Sequence, residues 1–301
     1  MTVGYLDDKT IAITGAGRGI GRAVALLCAQ EGANVVVNDY GVSMDGQDPS
    51  SEVADAVVAE ITGDGGRAVA VADSVTTMEG GARIVQTAVD TYGTIDGVVC
   101  VAGILRERML FKMSEEEWDP VIATHLKGTF TVFRAAAPIM REQRSGTLLA
   151  FTSGAFVGSV AQANYSAAKG GIVSLVRSAA AGMHKYGVTS NAIAPIAKSR
   201  MSANVPMEIE MGEPEDVAPM VAYLLGDDAR DVTGQVYTAV GGRVAVWNQP
   251  SEVREMRTEG RWTPEELARR LPDEVGQEPM PLIERIEEMA AAAASGDTPN
   301  A

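Results

Sequence analysis

Short apolar runs alternate with amphipathic helical stretches along most of this sequence. Apolar runs without an in–out alternation are typical of strands buried on both faces of a parallel sheet, and the helices between them supply the crossovers. Right-handed crossovers give a doubly wound, Rossmann-type α/β sheet that binds ligands at the carboxyl ends of its strands. The predicted strands cover residues 10–14, 34–38, 68–71, 95–101, 147–152, 189–194 and 235–239, and the predicted helices residues 20–30, 52–61, 77–91, 116–140, 164–186 and 214–225.

The pattern changes after about Gly242, where proline and charged residues become mixed. We therefore expect a single Rossmann-type domain over residues 1–242 and a C-terminal extension over residues 243–301. In the extension, Thr263 can cap a short helix that has Pro264 at its first position and Glu266 closing a capping box. Residues 281–294 are expected to form a terminal helix, and residues 295–301 to be disordered.

The chain carries a formal net charge of −15, from 25 basic and 40 acidic residues. Nucleic acid binding requires a basic surface, so this excess of acid argues against such a partner. No run reaches the roughly 20 apolar residues that cross a bilayer, and residues 1–9 lack the apolar core of a secretion signal. We expect a cytoplasmic protein that acts on a small molecule, with no membrane partner. With only two cysteines and two histidines, no metal site is expected.

A glycine-rich segment, TGAGRGIG at residues 14–21, joins the first predicted strand to the first predicted helix. Glycines in this position allow a tight turn and a close approach of the backbone to a pyrophosphate, which the helix amino terminus then stabilises. The strand–loop–helix setting distinguishes this signal from glycine turns that merely connect elements. The sequence therefore predicts a dinucleotide site that contains Gly15, Gly17, Arg18, Gly19, Ile20 and Gly21.

Asp39 directly follows the second predicted strand, where an acidic residue can reach the adenosine ribose. A carboxylate there binds the 2′-hydroxyl of NAD and repels the 2′-phosphate of NADP, by on the order of 1 kcal/mol near a surface. Arg18 is the opposing signal, because its guanidinium can pair with a phosphate. We expect Asp39 to dominate, so NAD is the predicted cofactor and NADP the less favoured one. The alternative role for Asp39 is to cap a turn.

Tyr165 and Lys169 lie four residues apart in a predicted helix, and hence on one of its faces. An ammonium beside a phenol favours the phenolate, which is expected to lower the pKa of Tyr165 from about 10 toward neutrality. Such a tyrosine can act as general acid and base between an alcohol and a ketone. A Tyr-x-x-x-Lys pair also occurs on solvated helix faces, but this one follows a predicted strand and Ser153.

With these motifs the sequence resembles the short-chain dehydrogenase/reductase family over roughly residues 5–245. Its middle is more specifically similar to the (3R)-hydroxyacyl-CoA dehydrogenase module of peroxisomal multifunctional enzymes and their bacterial relatives. The resemblance implies an NAD(P)-dependent oxidoreductase that acts on CH–OH groups, with a 3-hydroxyacyl-CoA as substrate. The strings that carry it are TGAGRGIG (14–21), VVVNDYG (35–41), AGILRERML (102–110), THLKGTF (124–130), AQANYSAAK (161–169) and NAIAPIAKSRM (191–201).

The resemblance also implies site residues by their position. Tyr165 would exchange a proton with the substrate oxygen, Lys169 would bind the nicotinamide ribose, and Ser153 would hydrogen-bond the substrate oxygen. Residues 198 to about 212 would form a mobile substrate lid. The further cofactor contacts implied are Asp73, Ser74 and Val75 around the adenine, Ala102 and Gly103 after the fourth strand, and Pro195 and Ile196 beside the nicotinamide.

Three features depart from the family's pattern. Cys-Val at residues 100–101 stands where the family has two asparagines, so two structural amides are missing. His125 stands where the family has a catalytic asparagine. Members of the hydroxyacyl-CoA branch share this histidine, whose neutral ring can hold a proton-relay water; simple packing is the alternative. The spacing from Ser153 to Tyr165 is one residue shorter than usual, so Thr152 sits at the customary distance while the local motif favours Ser153.

Two further patterns bear on the identity of the substrate, and other functions are also compatible with the sequence. Methionines are frequent in residues 109–113 and 201–211, which suits either an adaptable acyl pocket or ordinary core filling. Arg106, Arg108 and Lys112 suit the phosphates of coenzyme A, with exposed helix-edge charge as the alternative. The rival functions are a steroid-type hydroxy dehydrogenase or keto reductase of the same fold, and a nicotinamide-binding module without turnover. The resemblance implies a homo-oligomer, tetramer or dimer, assembled through the helices around residues 116–140 and 164–186.

Overall fold

The computed structural model describes residues 4–42, 50–197 and 211–295. Its strands are β1 (Thr10–Thr14), β2 (Asn34–Asn38), β3 (Arg67–Val71), β4 (Gly97–Cys100), β5 (Gly146–Phe151), β6 (Val188–Pro195), β7 (Val236–Val240) and β8 (Arg243–Val246). They form one sheet in the order β3-β2-β1-β4-β5-β6-β7-β8, parallel except between β7 and β8. The direction of winding reverses between β1 and β4, which places a ligand crevice at the carboxyl ends of these strands.

Helices cover both faces of this sheet. They are α1 (Gly19–Gln30), α2 (Glu52–Gly63), α3 (Met78–Tyr92), α4 (Glu115–Ile122), α5 (Gly128–Gln143), α6 (Ala163–Met183) and α7 (Ala218–Leu225). Buried side chains of α1, α2 and α7 form one hydrophobic cluster with the sheet, and those of α3, α5 and α6 form another. The predicted doubly wound α/β fold is confirmed.

The predicted continuous helix over residues 116–140 is wrong in detail. The chain stays helical, but α4 passes into a π-helical turn at Ala123–Lys127 before α5 begins. Such turns widen a helix locally and are frequent at functional sites. This one carries His125 into the interior, where its ring is only 2 % exposed. The apolar periodicity did not reveal the turn, because apolar residues continue on both sides of it.

The sheet unit extends to Trp247, beyond the expected boundary at Gly242. The difference arises because β8 turns back after β7 and pairs with it antiparallel, with Val240 opposite Arg243. Val244 and Val246 are more than half exposed, so this edge strand lacks the buried apolar run from which the other strands were predicted.

From Asn248 onward the chain forms a second unit. Its first helix, α8 (Pro264–Glu274), begins as predicted at Thr263. The Thr263 hydroxyl accepts the Glu266 N–H at 3.2 Å, and the Glu266 carboxylate accepts the Thr263 N–H at 3.0 Å. The terminal helix α9 (Pro281–Ser295) agrees with the prediction for residues 281–294. Residues 296–301, which were expected to be disordered, lie outside the described residues.

Candidate active site

The glycine-rich loop runs from β1 into α1 at the carboxyl edge of the sheet. Gly15 and Gly19 have φ angles of 66° and 51°, in the left-handed region that favours glycine. A Cβ at Gly15 would lie 2.7 Å from the Ala102 Cα, and a Cβ at Gly21 would lie 2.1 Å from the Gly15 carbonyl oxygen. Arg18, the N-cap residue of α1, makes no side-chain capping hydrogen bond. This cradle at a helix amino terminus has the form that binds a pyrophosphate.

Asp39 lies beside this loop, directly after β2. One carboxylate oxygen accepts the Gly17 N–H at 2.9 Å, and the other accepts the Gly41 N–H at 2.8 Å. A Cβ at Gly17 would come within 2.7 Å of the Asp39 Oδ2, so glycine is what allows the carboxylate to approach the loop. Arg18 is exposed, and its extended backbone immediately precedes α1. Asp39 and Arg18, which were expected to favour different cofactors, therefore both lie at this loop, and backbone N–H groups orient the Asp39 carboxylate.

The residues implied to frame the adenine follow β3; they are Asp73, Ser74 and Val75. The Asn38 side chain donates to the Asp73 carbonyl at 2.9 Å, which joins the end of β2 to this turn. The Asp73 carboxylate is bound by two nitrogens of Arg83, at 2.8 and 2.5 Å. The Ser74 hydroxyl hydrogen-bonds with that of Thr76, and Val75 is buried. The ion pair of Asp73 was not predicted, and it leaves the backbone of this turn as the better candidate contact for an adenine.

The other residues expected to contact the cofactor also lie at the carboxyl edge. Ala102 and Gly103 follow β4, and Pro195 and Ile196, which were expected beside the nicotinamide, lie at the end of β6. The Ala102 N–H donates to the Thr14 hydroxyl at 3.3 Å. The Ile196 carbonyl accepts the Gly212 N–H at 3.1 Å, and Ala197 forms a short parallel bridge with Gly212. Residues 198–210, which make up most of the implied lid, lie outside the described residues.

Three predicted catalytic residues come together at the ends of β5 and α6. Ser153 follows β5 and begins a 3₁₀ turn at Gly154–Val157, while Tyr165 lies in the first turn of α6 and Lys169 one turn later. The Ser153 hydroxyl accepts the Ala155 N–H at 3.2 Å and lies near enough to the Tyr165 hydroxyl to lower the pKa of that phenol. The Lys169 Nζ lies 5.3 Å from the centroid of the Tyr165 ring and donates to the Phe151 carbonyl at 2.7 Å. A hydroxyl, a phenol and an ammonium therefore share one small region.

Thr152, the alternative hydroxyl, points away from this cluster. It is 2 % exposed, and its hydroxyl donates to the Lys169 carbonyl at 2.9 Å. Successive residues of an extended chain point to opposite sides, so Thr152 and Ser153 do not present their hydroxyls to the same region. Of the two, it is Ser153 that contacts Tyr165.

Burial dominates the acid–base properties of this cluster. It raises the pKa of Tyr165 above the usual value near 10, and the nearby Ser153 hydroxyl opposes this effect. Burial also lowers the pKa of Lys169 to about 7, with the nearby Cys100 thiol acting in the opposite direction. The expected lowering of the Tyr165 pKa by Lys169 is therefore wrong for this structure, because desolvation disfavours the charged form of both groups.

His125 packs against the same cluster, with its ring edge-on to Tyr165 at a centroid distance of 5.1 Å. Its Nε2 lies 2.7 Å from the Ile104 carbonyl oxygen. Its Nδ1 is buried and has no hydrogen-bond partner within the described part of the chain. The pKa of His125 lies well below its usual range, because burial and the charge of Lys169 both disfavour the imidazolium. A Cβ at Gly103 would lie 2.3 Å from the ring, so glycine there makes room for a neutral histidine.

The sequence matches the short chain dehydrogenase family over residues 9–208. The chain belongs to this family. Short-chain dehydrogenases are oxidoreductases that use nicotinamide cofactors and act on CH–OH groups, so the predicted enzyme class is confirmed.

Several individual members of the family are similar to this short-chain dehydrogenase over most of its length. The hydroxyacyl-CoA dehydrogenase ChsB1 of Mycobacterium tuberculosis is 40% identical over 286 residues, which cover 89% of each chain. The peroxisomal multifunctional enzyme type 2 of Mus musculus is 44% identical over 238 residues, 78% of this chain and 32% of that protein. A crystal structure of a short chain dehydrogenase from Mycobacterium avium is 45% identical, with a TM-score of 0.83 over 92% of this chain and 97% of that one. The predicted resemblance to the multifunctional-enzyme branch and its bacterial relatives is confirmed.

This short-chain dehydrogenase has a residue beside its site that the sequence did not single out. Trp247, directly after β8, packs edge-on against Phe156 at a centroid distance of 4.7 Å. Phe156 lies in the 3₁₀ turn that Ser153 begins. The Trp247 indole N–H donates to the Thr238 hydroxyl at 2.9 Å, which fixes the ring. No local pattern marks Trp247, because its partner is distant along the chain and it lies past the predicted end of the domain.

The basic residues considered for coenzyme A phosphates have contacts of their own. Arg108 forms an ion pair with Glu117 at 2.8 Å, and the Lys112 Nζ lies 5.6 Å from the centroid of the Phe111 ring. The ring of Phe111 is itself 76 % exposed. Because Met109 is also exposed, ordinary core filling does not account for this part of the methionine-rich segment.

Residues 4–42, 50–197 and 211–295 contain neither a cluster of metal ligands nor a membrane-spanning helix. Within these ranges no three histidine, cysteine, aspartate or glutamate side chains cluster in a way that could hold a metal ion. In the same ranges, none of the helices of this short-chain dehydrogenase is both long and apolar enough to cross a membrane.

Proposed function

We propose that this short-chain dehydrogenase interconverts a 3-hydroxyacyl-CoA and the corresponding 3-ketoacyl-CoA, with NAD as its cofactor. The observation that carries the proposal is the contact between Ser153 and Tyr165, with Lys169 one helical turn away, at the carboxyl edge of a sheet whose first loop is a glycine cradle. The likeness to a hydroxyacyl-CoA dehydrogenase over 89% of both chains supports the acyl-CoA substrate.

The residues of the cradle fit a dinucleotide. Side chains at Gly15 or Gly17 would fill the space beside the loop, and the amino terminus of α1 would stabilise the pyrophosphate. Asp39 would accept the 2′-hydroxyl of the adenosine ribose, and its charge would oppose a 2′-phosphate, which favours NAD over NADP. When bound, the nicotinamide exchanges a hydride with the substrate carbon.

The cluster around Tyr165 would handle the proton and the charge on the substrate oxygen. As general base, Tyr165 takes the proton of the alcohol, and as general acid it returns the proton to the ketone. Ser153, whose hydroxyl lies near the phenol, donates to the substrate oxygen as charge develops there. Lys169 would bind the nicotinamide ribose, and in its charged form its ammonium favours the phenolate form of Tyr165.

We assign His125 to the proton path behind Tyr165. The Nε2 of the neutral ring lies 2.7 Å from the carbonyl oxygen and 3.1 Å from the nitrogen of Ile104, and its Nδ1 is a buried polar atom that no described residue satisfies. A buried polar atom of this kind is usually satisfied by an ordered water. Such a water would connect the buried pair of Tyr165 and Lys169 to a chain of further waters.

We also propose that the chain forms a homo-oligomer of two or four copies in the cytoplasm. Trp118 on α4 and Phe130 on α5 are 37 % and 43 % exposed, and a second copy would cover such large apolar side chains. Light scattering measures the number of subunits, and a monomer would overturn the proposed assembly.

The test of the proposed function is a panel of possible substrates, each assayed with NAD and with NADP. The panel contains (3R)- and (3S)-hydroxyacyl-CoA of several chain lengths, hydroxysteroids, and 3-ketoacyl substrates with NADH or NADPH. We expect the highest kcat/KM with a (3R)-hydroxyacyl-CoA and NAD.

Each other outcome of the panel has a definite meaning. Turnover restricted to steroids or to small alcohols would overturn the acyl-CoA substrate but not the chemistry of Tyr165. A preference for NADP would mean that Arg18 outweighs Asp39. Nucleotide binding without turnover of any substrate would favour the non-catalytic module.

Replacing Ser153 and Thr152 in turn tests which hydroxyl serves the reaction. We expect Ser153→Ala to lower kcat by about 10²–10³-fold, the usual cost of removing a donor aimed at a developing charge. The Ser153 hydroxyl lowers the pKa of Tyr165, so its loss should also move the rise of the oxidation rate to higher pH. The matched variant Thr152→Val should keep kcat within a few-fold. Initial rates from pH 6 to 10 measure both effects, and the reverse order would identify Thr152 as the catalytic hydroxyl.

A further inference from the structure

Asn164 is a buried polar residue that the proposed reaction does not use. It directly precedes Tyr165 in the first turn of α6 and is 0% exposed. A buried side-chain amide is costly unless its donors and acceptor are bonded. Its hydrogen bonds therefore indicate what the residue is there to hold.

The Asn164 amide makes three hydrogen bonds to three different segments. Its Nδ2 donates to the Arg106 carbonyl at 2.9 Å, in the loop after β4, and to the Glu117 carbonyl at 2.7 Å, in α4. Its Oδ1 accepts the N–H of Tyr165 at 2.7 Å. A single side chain therefore joins the backbone of Tyr165 to α4 and to the loop after β4.

The bond to the Tyr165 N–H takes the place of a helix cap. The N-cap of α6 is Gln162, whose side chain makes no capping hydrogen bond and instead donates to Glu107 at 2.6 Å. The first N–H groups of a helix have no partner within the helix. Here Asn164 satisfies the N–H of the residue that carries the phenol.

The segment on the other side of this link also belongs to the site. The loop after β4 begins with Ala102 and Gly103 and continues to Ile104, whose carbonyl lies 2.7 Å from the His125 Nε2. A second link between the loop and the start of α6 is the Arg108 N–H, which donates to the Ala161 carbonyl at 2.7 Å. With the bond from the Gln162 side chain to Glu107, the loop and the start of α6 share three links, and that of Asn164 is the buried one.

We propose that Asn164 is a positioning residue, whose amide fixes the first turn of α6 against α4 and the loop after β4 and so holds the Tyr165 hydroxyl at the correct distance from the substrate oxygen. The inference rests on the proposed role of Tyr165. It assigns no contact with substrate or cofactor to Asn164 itself. A small displacement of a catalytic group costs up to about a hundredfold in rate, so the link should be visible in kcat.

Asn191 offers a matched control within the same chain. It too is 0% exposed; its Nδ2 donates to the Val232 carbonyl at 2.6 Å, and its Oδ1 accepts the Gln235 N–H at 3.0 Å. Replacing either asparagine by alanine removes part-buried hydrogen bonds to the backbone and should lower Tm by several degrees. Of the two asparagines, only Asn164 is hydrogen-bonded to Tyr165, the proposed general base.

The experiment compares Asn164→Ala, Asn191→Ala and Tyr165→Phe with the parent, using (3R)-hydroxybutyryl-CoA and NAD as the assay pair. We expect Asn164→Ala to lower kcat by about 10–100-fold while KM for NAD changes less than about twofold, because the glycine cradle is untouched. Asn191→Ala should keep kcat within about twofold at a similar loss of Tm. Asn164→Ser, which is less disruptive, should show the same split to a smaller extent if the alanine variant fails to fold.

Two results would overturn the inference. One is an Asn164 variant that retains kcat within twofold while Tyr165→Phe is inactive, since the phenol would then be needed but not the link. The other is an equal loss of kcat in the Asn164 and Asn191 variants, which would mark a general effect of stability. If Tyr165→Phe itself keeps full activity, the proposed catalytic role fails, and this inference falls with it.

Discussion

Tyr165→Phe is expected to lower kcat by about 10²–10⁴-fold, the range associated with loss of a general acid and base. The phenylalanine ring would keep the edge-on contact with His125 at 5.1 Å and the position 5.3 Å from the Lys169 Nζ. The substitution therefore removes the phenolic oxygen and little else. Steady-state rates give kcat, and the fluorescence of bound NADH gives the affinity for the cofactor, which should change by no more than a few-fold.

The control for this prediction is Tyr223→Phe. Tyr223 lies on α7 and is 39 % exposed, so its hydroxyl should matter little to kcat. A Tyr165→Phe enzyme that retains kcat within tenfold would exclude the phenol as the group that moves the proton. The reaction would then need another acid and base, and His125 would be the first residue to replace.

Lys169→Met is expected to abolish most of the activity and to make the cofactor-free protein more stable at pH 7. Lys169 is 4 % exposed, and burial lowers its pKa to about 7, against about 10.4 in an unfolded chain. Methionine has a similar length and no charge to bury. The substitution removes one hydrogen bond, the one that the Lys169 ammonium donates to the Phe151 carbonyl at 2.7 Å. We expect a net gain of about 1–3 kcal/mol in the free energy of unfolding.

The pH dependence makes the stability part of this prediction specific. Because the folded pKa of Lys169 lies below the unfolded value, the unfolded chain binds the additional proton between about pH 7 and pH 10.4. The contribution of Lys169 to the free energy of unfolding therefore rises with pH across that window. The advantage of Lys169→Met should shrink as the pH rises from 7 to 10.

Urea denaturation at several pH values measures this advantage. Lys127→Met, at the exposed lysine that ends the π turn, is the control and should show no such trend. A Lys169→Met protein that is less stable than the parent at every pH would mean that the ammonium is well solvated in the folded state. For activity, we expect kcat to fall at least about a hundredfold, because the amine proposed to bind and orient the nicotinamide ribose is lost.

Features that depend on short stretches of chain were predictable. The four-residue spacing places Tyr165 and Lys169 on one face of α6 whatever surrounds the helix. The capping box of α8 depends only on Thr263 and Glu266, and it was found as expected. Similarly, the apolar runs marked seven of the strands because a strand buried on both faces has no need for polar residues.

Features that depend on contacts distant in the chain were not predictable. The edge strand β8 has exposed valines, and only its pairing with β7 identifies it. The π turn at Ala123–Lys127 leaves the apolar pattern unchanged while it buries His125. Asn164 is one more polar residue in a helix until its partners in α4 and in the loop after β4 are known.

By itself, the sequence determined the order of the seven parallel strands and of the helices between them, the glycine cradle, the carboxylate of Asp39 at its edge, and the Tyr165–Lys169 pair. Each of these follows from residue spacing along a regular element, which is a local property of the chain. The tertiary structure alone decided that Ser153 contacts the phenol while Thr152 turns away. It also decided that burial raises the pKa of Tyr165 and lowers the pKa of Lys169, and so disfavours the charged form of each group. Desolvation sums over every neighbour that excludes water, and those neighbours are brought together only by folding.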